Sequence, residues 1–431
     1  MSRFISLSGI VLLLAIAVLL SDNRRRISGR LIGASLLLQG VIAGLFLAFP
    51  PVVSLVDLLA RGVVRLLSFA QRGGQFVFGA QLLDAGGPWG FIFAVQVLPA
   101  IVFVAALMSV LYHLGIMPRL VGLLAWLFRR SLGVTGSEAL VVAANIFVGQ
   151  TEAPLCVKPY IAGMTRSQLM TLMTGGFATV SGGVLAAYVG LLSRGDPALA
   201  VVFTHHLLTA SVLSAPAAFL MAKTLVPETE SAPEESGPLR LAAGDSHNVL
   251  DALASGATDG LWLALNIATM LVAFVAFLAL LNWPLEALSA WTPVAAWRDR
   301  LGLPPLSLQM LFGIVLTPLA ATMSIPWEEC RVFGGLLGEK LLATELVAYQ
   351  SLSALLESDT AAISRRTAHI ASYALCGFAN FAAIGVQLGA LRVLAPDRRR
   401  DITRLALRAM LGGALASWLT ACVAALFLPL D

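Results

Sequence analysis

Glu152 and Glu345 are the residues best placed to do chemistry, because each is a carboxylate inside an apolar segment. Each follows a threonine, in Gln150-Thr151-Glu152-Ala153-Pro154 and Thr344-Glu345-Leu346-Val347-Ala348. Each precedes a near-identical tetrapeptide: Gly176-Phe177-Ala178-Thr179 after the first, Gly377-Phe378-Ala379-Asn380 after the second. The same order occurs twice: a carboxylate in an interrupted segment, then a glycine-broken helix with Phe and a small polar residue. An ionisable residue at membrane depth points to a functional site. Paired interrupted segments in corresponding halves are the sequence mark of a secondary transporter with its site at midplane.

In the first segment Gly149 and Pro154 bracket Gln150, Thr151 and Glu152. Pro154 cannot continue a helix without losing a backbone bond, so the helix breaks here and a half-helix starts near it. The break exposes backbone donors and acceptors beside an amide, a hydroxyl and a carboxylate, an array suited to a polar neutral ligand. As mere packing glue, three polar side chains at a break are costly in lipid. In the second segment Lys340 and Glu345 stand five apart, poorly spaced to pair on one helix. Glu345, flanked by apolar residues, is the better ligand group. Glu339 and Glu328-Glu329 read as helix caps near the interface. Of the broken helices, the first offers Thr179 and Ser181 hydroxyls with freed carbonyls for a small cation, completed by Asn145 and Val148. The second offers Asn380, with donors and an acceptor, and Phe378, which can pack on a flat ring.

The elements that must position these groups lie in a membrane. The chain has 431 residues, 58% hydrophobic and 12% charged. A soluble domain carries roughly 25% charged residues. The fold class is therefore all-α and polytopic. Spans of about 20 apolar residues fall at 5–21, 31–49, 90–115, 198–223, 261–283 and 403–428, with glycine-broken spans at 168–193 and 368–393. That makes eight transmembrane helices. The stretches 137–162 and 308–350 carry charge, Pro and Gly in their middles and read as two re-entrant hairpins. Val52 to Gln71, Pro118 to Arg130 and Asp251 to Gly260 read as interfacial helices, and Pro227 to Asn248 as a linker. The first apolar run lacks the n-region and cleavage site of a signal peptide and reads as a retained helix. Arginines in short loops favour both termini outside. The net charge of +4 sits in loop arginines and gives no ground for a nucleic-acid partner. Cys156, Cys330, Cys376 and Cys422 have no CxxC spacing and read as core thiols.

These segments resemble the concentrative nucleoside transporter family. The matching stretches are Gly149 to Pro154, Met173 to Thr179, Pro326-Trp-Glu-Glu329, Gly338 to Tyr349 and Tyr373 to Phe381, within a similarity running from about residue 90 to the C-terminus. The resemblance implies eight spans, two re-entrant hairpins, a homotrimer in the lipid bilayer and cation-coupled symport of nucleosides. It also implies an inverted-repeat transport domain that moves against a scaffold in the manner of an elevator. The residues matching the family's base-binding set are Gln150, Thr151 and Glu152, with Val184 and Phe378 against the base. Those matching its ribose-binding set are Glu345 and Asn380, and its Na+ site falls on Asn145, Val148, Thr179 and Val180. Two departures stand on the ribose side. Thr344 replaces the family's Asn before the second glutamate, and Ala382-Ala383 replace two serines. Losing one neutral hydrogen bond to the sugar costs roughly 0.5–1.5 kcal/mol.

The expected organisation is scaffold and interfacial helices over 1–130, then a first transport repeat over 131–225, containing hairpin 137–162, broken helix 168–193 and helix 198–223. Residues 226–300 hold the linker, an interfacial helix and scaffold helix 261–283. The second repeat covers 301–431, with hairpin 308–350, broken helix 368–393 and helix 403–428. The expected function is a nucleoside symporter of the bacterial inner membrane, driven by Na+ in preference to H+. The rival in the same class is an H+-coupled carrier of a modified nucleoside or purine-like solute, with Glu152 or Glu345 carrying the proton. The rival in another class is an intramembrane enzyme using Glu152 and Glu345 as an acid/base pair. No nucleophile, metal cluster or phosphate loop accompanies that pair in the sequence.

Overall fold

In lipid a helix satisfies its own backbone, and this chain is built accordingly. The computed structural model describes residues 2–84, 88–89, 92–230, 246–300, 305–357 and 363–429. The middle of the expected linker, residues 231–245, lies outside the described residues.

Two apolar helices come first, α1 (Ser2–Leu19) and α2 (Gly29–Leu47). An amphipathic helix, α3 (Pro50–Phe78), then extends the expected interfacial stretch at both ends. Short turns α4 (Ala80–Leu83) and α5 (Phe93–Gln96) lead into α6 (Leu98–His113). A second amphipathic helix, α7 (Ile116–Leu132), runs between Gly115 and Gly133, both in the left-handed region that favours glycine.

The first repeat contains α8 (Gly136–Asn145), a 3-10 turn (Ala153–Val157), α9 (Lys158–Ile161), α10 (Arg166–Ala178), α11 (Gly182–Ser193) and α12 (Pro197–Leu225). Helix α13 (Val249–Ala290) and α14 (Thr292–Arg300) follow. The second repeat contains α15 (Leu308–Thr322), α16 (Trp327–Leu342), α17 (Glu345–Glu357), α18 (Arg365–Leu375), α19 (Phe381–Leu394) and α20 (Arg399–Phe427).

Among the described residues six helices are long and apolar enough to span a membrane, while α1 and α19 are shorter apolar helices. The α18 half of its broken pair carries Arg365, Arg366 and His369, which lowers its apolar character. The core lies where α10, α12 and α20 meet, with α1 and α2 packed on α12 and α20. By contrast α13 lies along α6, most of its residues exposed. Gly256 and Gly260, a GxxxG pair, make that approach possible. A Cβ on Gly256 would lie 2.5 Å from the Ser109 Cβ, and one on Gly260 2.8 Å from the Ala105 Cβ.

Four sequence expectations change. Asp251 to Gly260 is no separate interfacial helix, because α13 runs through it for 42 residues without a break. The stretch 308–350 is three helical pieces: α15 and α16 meet at a 118° bend, and a second turn at Ala343-Thr344 leads into α17. The first broken helix opens at Thr179 to Ser181, with Gly182 and Gly183 starting α11. Glu339 caps no helix; it is buried near the C-terminal end of α16, facing Gln309 and Ser351.

Candidate functional site

Helix ends build the site. Glu345 is the first residue of α17, buried, with both carboxylate oxygens held. The Tyr188 hydroxyl of α11 donates to Oε1 at 3.0 Å and Asn380 Nδ2 donates to Oε2 at 2.7 Å. Asn380 is the N-cap of α19: its Oδ1 accepts from the Ala383 N–H at 2.8 Å. One amide thus fixes a helix start with one end and a carboxylate with the other, so it cannot flip without breaking both. The N-terminus of a half-helix also carries partial positive charge, which suits a carboxylate. Tyr188 is set by Tyr349 of α17, whose ring centroid lies 4.4 Å away and whose hydroxyl donates to the Ser372 carbonyl at 2.8 Å.

The first hairpin presents its groups differently. Helix α8 ends at Asn145, and the 3-10 turn starts with Pro154 in its first positions, as the sequence leads one to expect. Between them Gln150 is buried, its Oε1 lacking a partner among the described residues. Thr151 is half-buried, and Glu152 is exposed with Oε2 accepting weakly from the Gly149 N–H at 3.4 Å. Glu152 also interacts with Asp259 of α13 and Tyr112 of α6, so this tip looks toward that helix pair.

The first hairpin tip and α19 meet across α10. A Cβ on Gly176 would lie 2.8 Å from both the Gln150 Cβ and the Gln387 Nε2, so only a glycine lets the hairpin tip and α19 close on this helix. The two breaks are back to back: a Cβ on Gly377 would sit 2.6 Å from the Ala178 carbonyl oxygen. Val184 is buried in the first turn of α11, and Phe378 is half-buried between Gly377 and the α19 cap.

The expected cation residues also gather. Asn145 is 1% exposed, yet neither amide atom has a partner among the described residues. The Thr179 hydroxyl donates to the Gly175 carbonyl at 2.9 Å, which leaves both of its lone pairs free. A Cβ on Gly175 would lie 3.4 Å from Asn145 Nδ2, which places the amide at the last turn of α10. Val148, three residues after Asn145, and Val180, next to Thr179, are also buried. A hard monovalent cation fits this oxygen set, since an unpartnered buried amide is otherwise costly.

Sequence reasoning missed Tyr188, Gln387 and the partners of Lys340. Tyr188 lies four residues after Val184, and Gln387 seven after Asn380, so helical spacing from the chosen residues would have reached both. Gln387 Nε2 donates to the Met173 carbonyl at 3.0 Å and its Oε1 is unpartnered. Thr344 turns out to serve its own helix, its hydroxyl accepting from the Val347 N–H at 3.4 Å. The histidines are less scattered than their sequence spacing suggests: His205 meets Asp57 at 2.7 Å, and His206 lies between Tyr373 and His369.

Comparison with known proteins fits this geometry. Three family models match: the N-terminus of the Na+ dependent nucleoside transporters over residues 8–81, nucleoside recognition over 94–195, and the transporters' C-terminus over 206–425. A Haemophilus influenzae protein described as "Uncharacterized transporter" is 40% identical over 100% of this chain and 99% of its own. The rat "Sodium/nucleoside cotransporter 1" is 38% identical over 98% of this chain and 63% of its own. The solved structure of CNTnw in an inward-facing substrate-bound state superposes with a TM-score of 0.89 at 38% identity, covering 99% of this chain and 98% of that one. A CNTnw variant in an outward-facing state superposes equally well, with a TM-score of 0.89 at 36% identity over the same shares. The family models describe Na+-dependent transporters, which supports Na+ as the coupling ion. The chain belongs to the concentrative nucleoside transporter family, a family of transporters and not of enzymes.

Proposed function

We propose that this protein imports nucleosides across the bacterial inner membrane, drawing on a Na+ gradient. The observation that carries the reading is the Glu345 carboxylate, buried and oriented by Tyr188 and Asn380 at the start of α17. A carboxylate held in this way is a strong acceptor for sugar hydroxyls. Glu345 and Asn380 would take the ribose, and Gln150, Thr151 and Glu152 the base edge, with Val184 and Phe378 packing on the base faces. Asn145, Val148, Thr179 and Val180 would hold Na+. Val148 stands two residues before Gln150, so an ion held there would order the base-binding tip and raise nucleoside affinity. By linkage, nucleoside would raise Na+ affinity by the same factor. The two hairpins, with α10 to α12 and α18 to α20, would move against α6 and α13 as an elevator. The unit would be a homotrimer with both termini outside.

The test is uptake of radiolabelled uridine into proteoliposomes. Accumulation above the external concentration under an inward Na+ gradient is expected. Uptake that ignores Na+ and collapses with a proton uncoupler would replace this reading with a proton-driven one. Failure with uridine alongside uptake of a sugar-modified nucleoside would favour the modified substrate, which the alanines at 382 and 383 make worth testing.

A further inference from the structure

Lys340 is 0% exposed, and its ammonium donates to the Ala374 and Cys376 carbonyls at 2.9 and 3.0 Å. These are carbonyls from the last turn and C-cap of α18, which the helix cannot satisfy by itself. Ser417 adds a hydroxyl donor to the Cys376 carbonyl at 2.6 Å. Glu345 lies near enough to interact with Lys340, but among the described residues no ion pair within 4 Å joins them. An ammonium in an apolar core is costly, and an unbranched apolar side chain would fill the space without that cost. The charge itself therefore needs a role.

The first repeat supplies it by comparison. There the first arm of the hairpin, α8, brings Asn145 to the last turn of α10, just before the break, and leaves its amide unpartnered. In the second repeat α16, which ends before Glu345 as α8 ends before Glu152, brings Lys340 to the end of α18, just before the break, and bonds it to two carbonyls. We infer that Lys340 is a tethered cation: its ammonium does in the second repeat what a bound ion does in the first, and so positions Phe378 and Asn380. These residues follow Cys376 by two and four places, and Gly377 between them sits at φ 98° against α10. The sugar side is then preset whether or not an ion is bound, whereas the base side waits for one. The comparison with a bound ion rests on the Na+ reading above.

The experiment uses the full-length protein in proteoliposomes, with uridine uptake as readout and elution volume in gel filtration as the folding check. Lys340→Met keeps the volume and removes the charge, and should lower uptake about tenfold or more, as expected for losing hydrogen bonds from a charged donor. Lys340→Ala should fall likewise and recover in part when ethylammonium is added, while Lys340→Met, with the space filled, should not recover. Lys340→Arg should retain more uptake than Lys340→Met. A Lys340→Met protein that transports as well as wild type overturns the inference, as does Lys340→Ala that folds but ignores the amine. Should the variants not fold, the number of 22Na+ ions bound per wild-type protomer with uridine present decides. One ion upholds the inference, and two overturn it even if Na+ coupling stands. Where the variants do fold, amine rescue together with no bound ion upholds Lys340 and removes the Na+ reading instead.

Discussion

In the first repeat the hairpin arm ends on a neutral amide, Asn145, that nothing among the described residues satisfies. In the second the corresponding arm carries an ammonium, Lys340, bonded to two carbonyls. The polar groups that follow differ in the same sense. Gln150 keeps an unpartnered oxygen and Glu152 is exposed, whereas Glu345 has a partner on each oxygen. One architecture used twice therefore yields one half that is incomplete and one that is preorganised. An incomplete half can respond to an ion, and a preorganised half can hold a sugar in one geometry without spending binding free energy on ordering it.

The largest effect should come from disturbing the preorganised half. In Glu345→Gln an NH2 replaces one oxygen, and it would face either the Tyr188 hydroxyl or the Asn380 amide, both of which now donate. Asn380 cannot turn to accommodate it, because its Oδ1 caps α19. Two hydrogen bonds to a charged group are at stake, so uridine uptake should fall by at least about a hundredfold. Expression level and gel-filtration behaviour should be unchanged. Near-normal transport by this variant would remove Glu345 from the site and end the contrast between the halves.

The incomplete half should respond differently. Asn145→Ala and Thr179→Ala should raise the Na+ concentration for half-maximal uptake more than they lower the maximal rate. A weakened ion site is filled by mass action, so the defect should shrink at saturating Na+. Removing one oxygen ligand should shift the half-saturating concentration by about tenfold, in line with one charge-assisted contact. If both variants lower the maximal rate with no change in Na+ dependence, Asn145 and Thr179 serve packing alone. Glu345→Gln offers the control: extra Na+ should not restore it.

Much of this was legible in the sequence because it depends on local chemistry. Pro154 and the two glutamates each break or charge an apolar run, and such interruptions show in a single chain, whereas Gly175-Gly176 stays helical and the break falls just after it. The all-α class follows from the same hydropathy. The rest depends on long-range choice. Nothing in the spacing of Lys340 says that it will bond carbonyls 34 and 36 residues away in preference to the glutamate five residues on. Tyr188 reaches Glu345 across 157 residues, a pairing that no periodicity reports. The 42-residue α13 was hidden by Asp251 and Asp259, which look interfacial in isolation. Packing of Gly256 and Gly260 on α6 keeps the helix continuous through them.

A smaller effect is expected from restoring a hydroxyl on the sugar side. Ala383 is buried in the first turn of α19, beside Asn380. Ala383→Ser should raise apparent affinity for uridine about two- to tenfold, the range for one neutral hydrogen bond. A fall in affinity would mean that the pocket is shaped for another substituent at that point, and a sugar-modified nucleoside should then compete better than uridine. No change would mean that Ala383 does not face the ligand.

The smallest effect should come from Thr344→Asn, although this residue stands next to Glu345 and departs from the family's Asn. The Thr344 hydroxyl already accepts from the Val347 N–H, in the manner of an N-cap on α17. Asparagine caps helices at least as well as threonine, so the exchange should change stability by ~0.5 kcal/mol or less. Uridine affinity should move by less than about twofold, because a capping side chain turned toward its own backbone leaves no group for the sugar. Thermal melting and uptake on the same preparation separate the two quantities. The comparison with Ala383→Ser is the sharper use of the pair. If Thr344→Asn shifts uridine affinity more than Ala383→Ser does, residue 344 contacts the ligand in the working transporter. The sugar side would then be less fully preset than the bonds to Glu345 imply. If the order is as expected, the two departures from the family part company: Thr344 concerns how α17 starts, and Ala383 concerns what the site will accept.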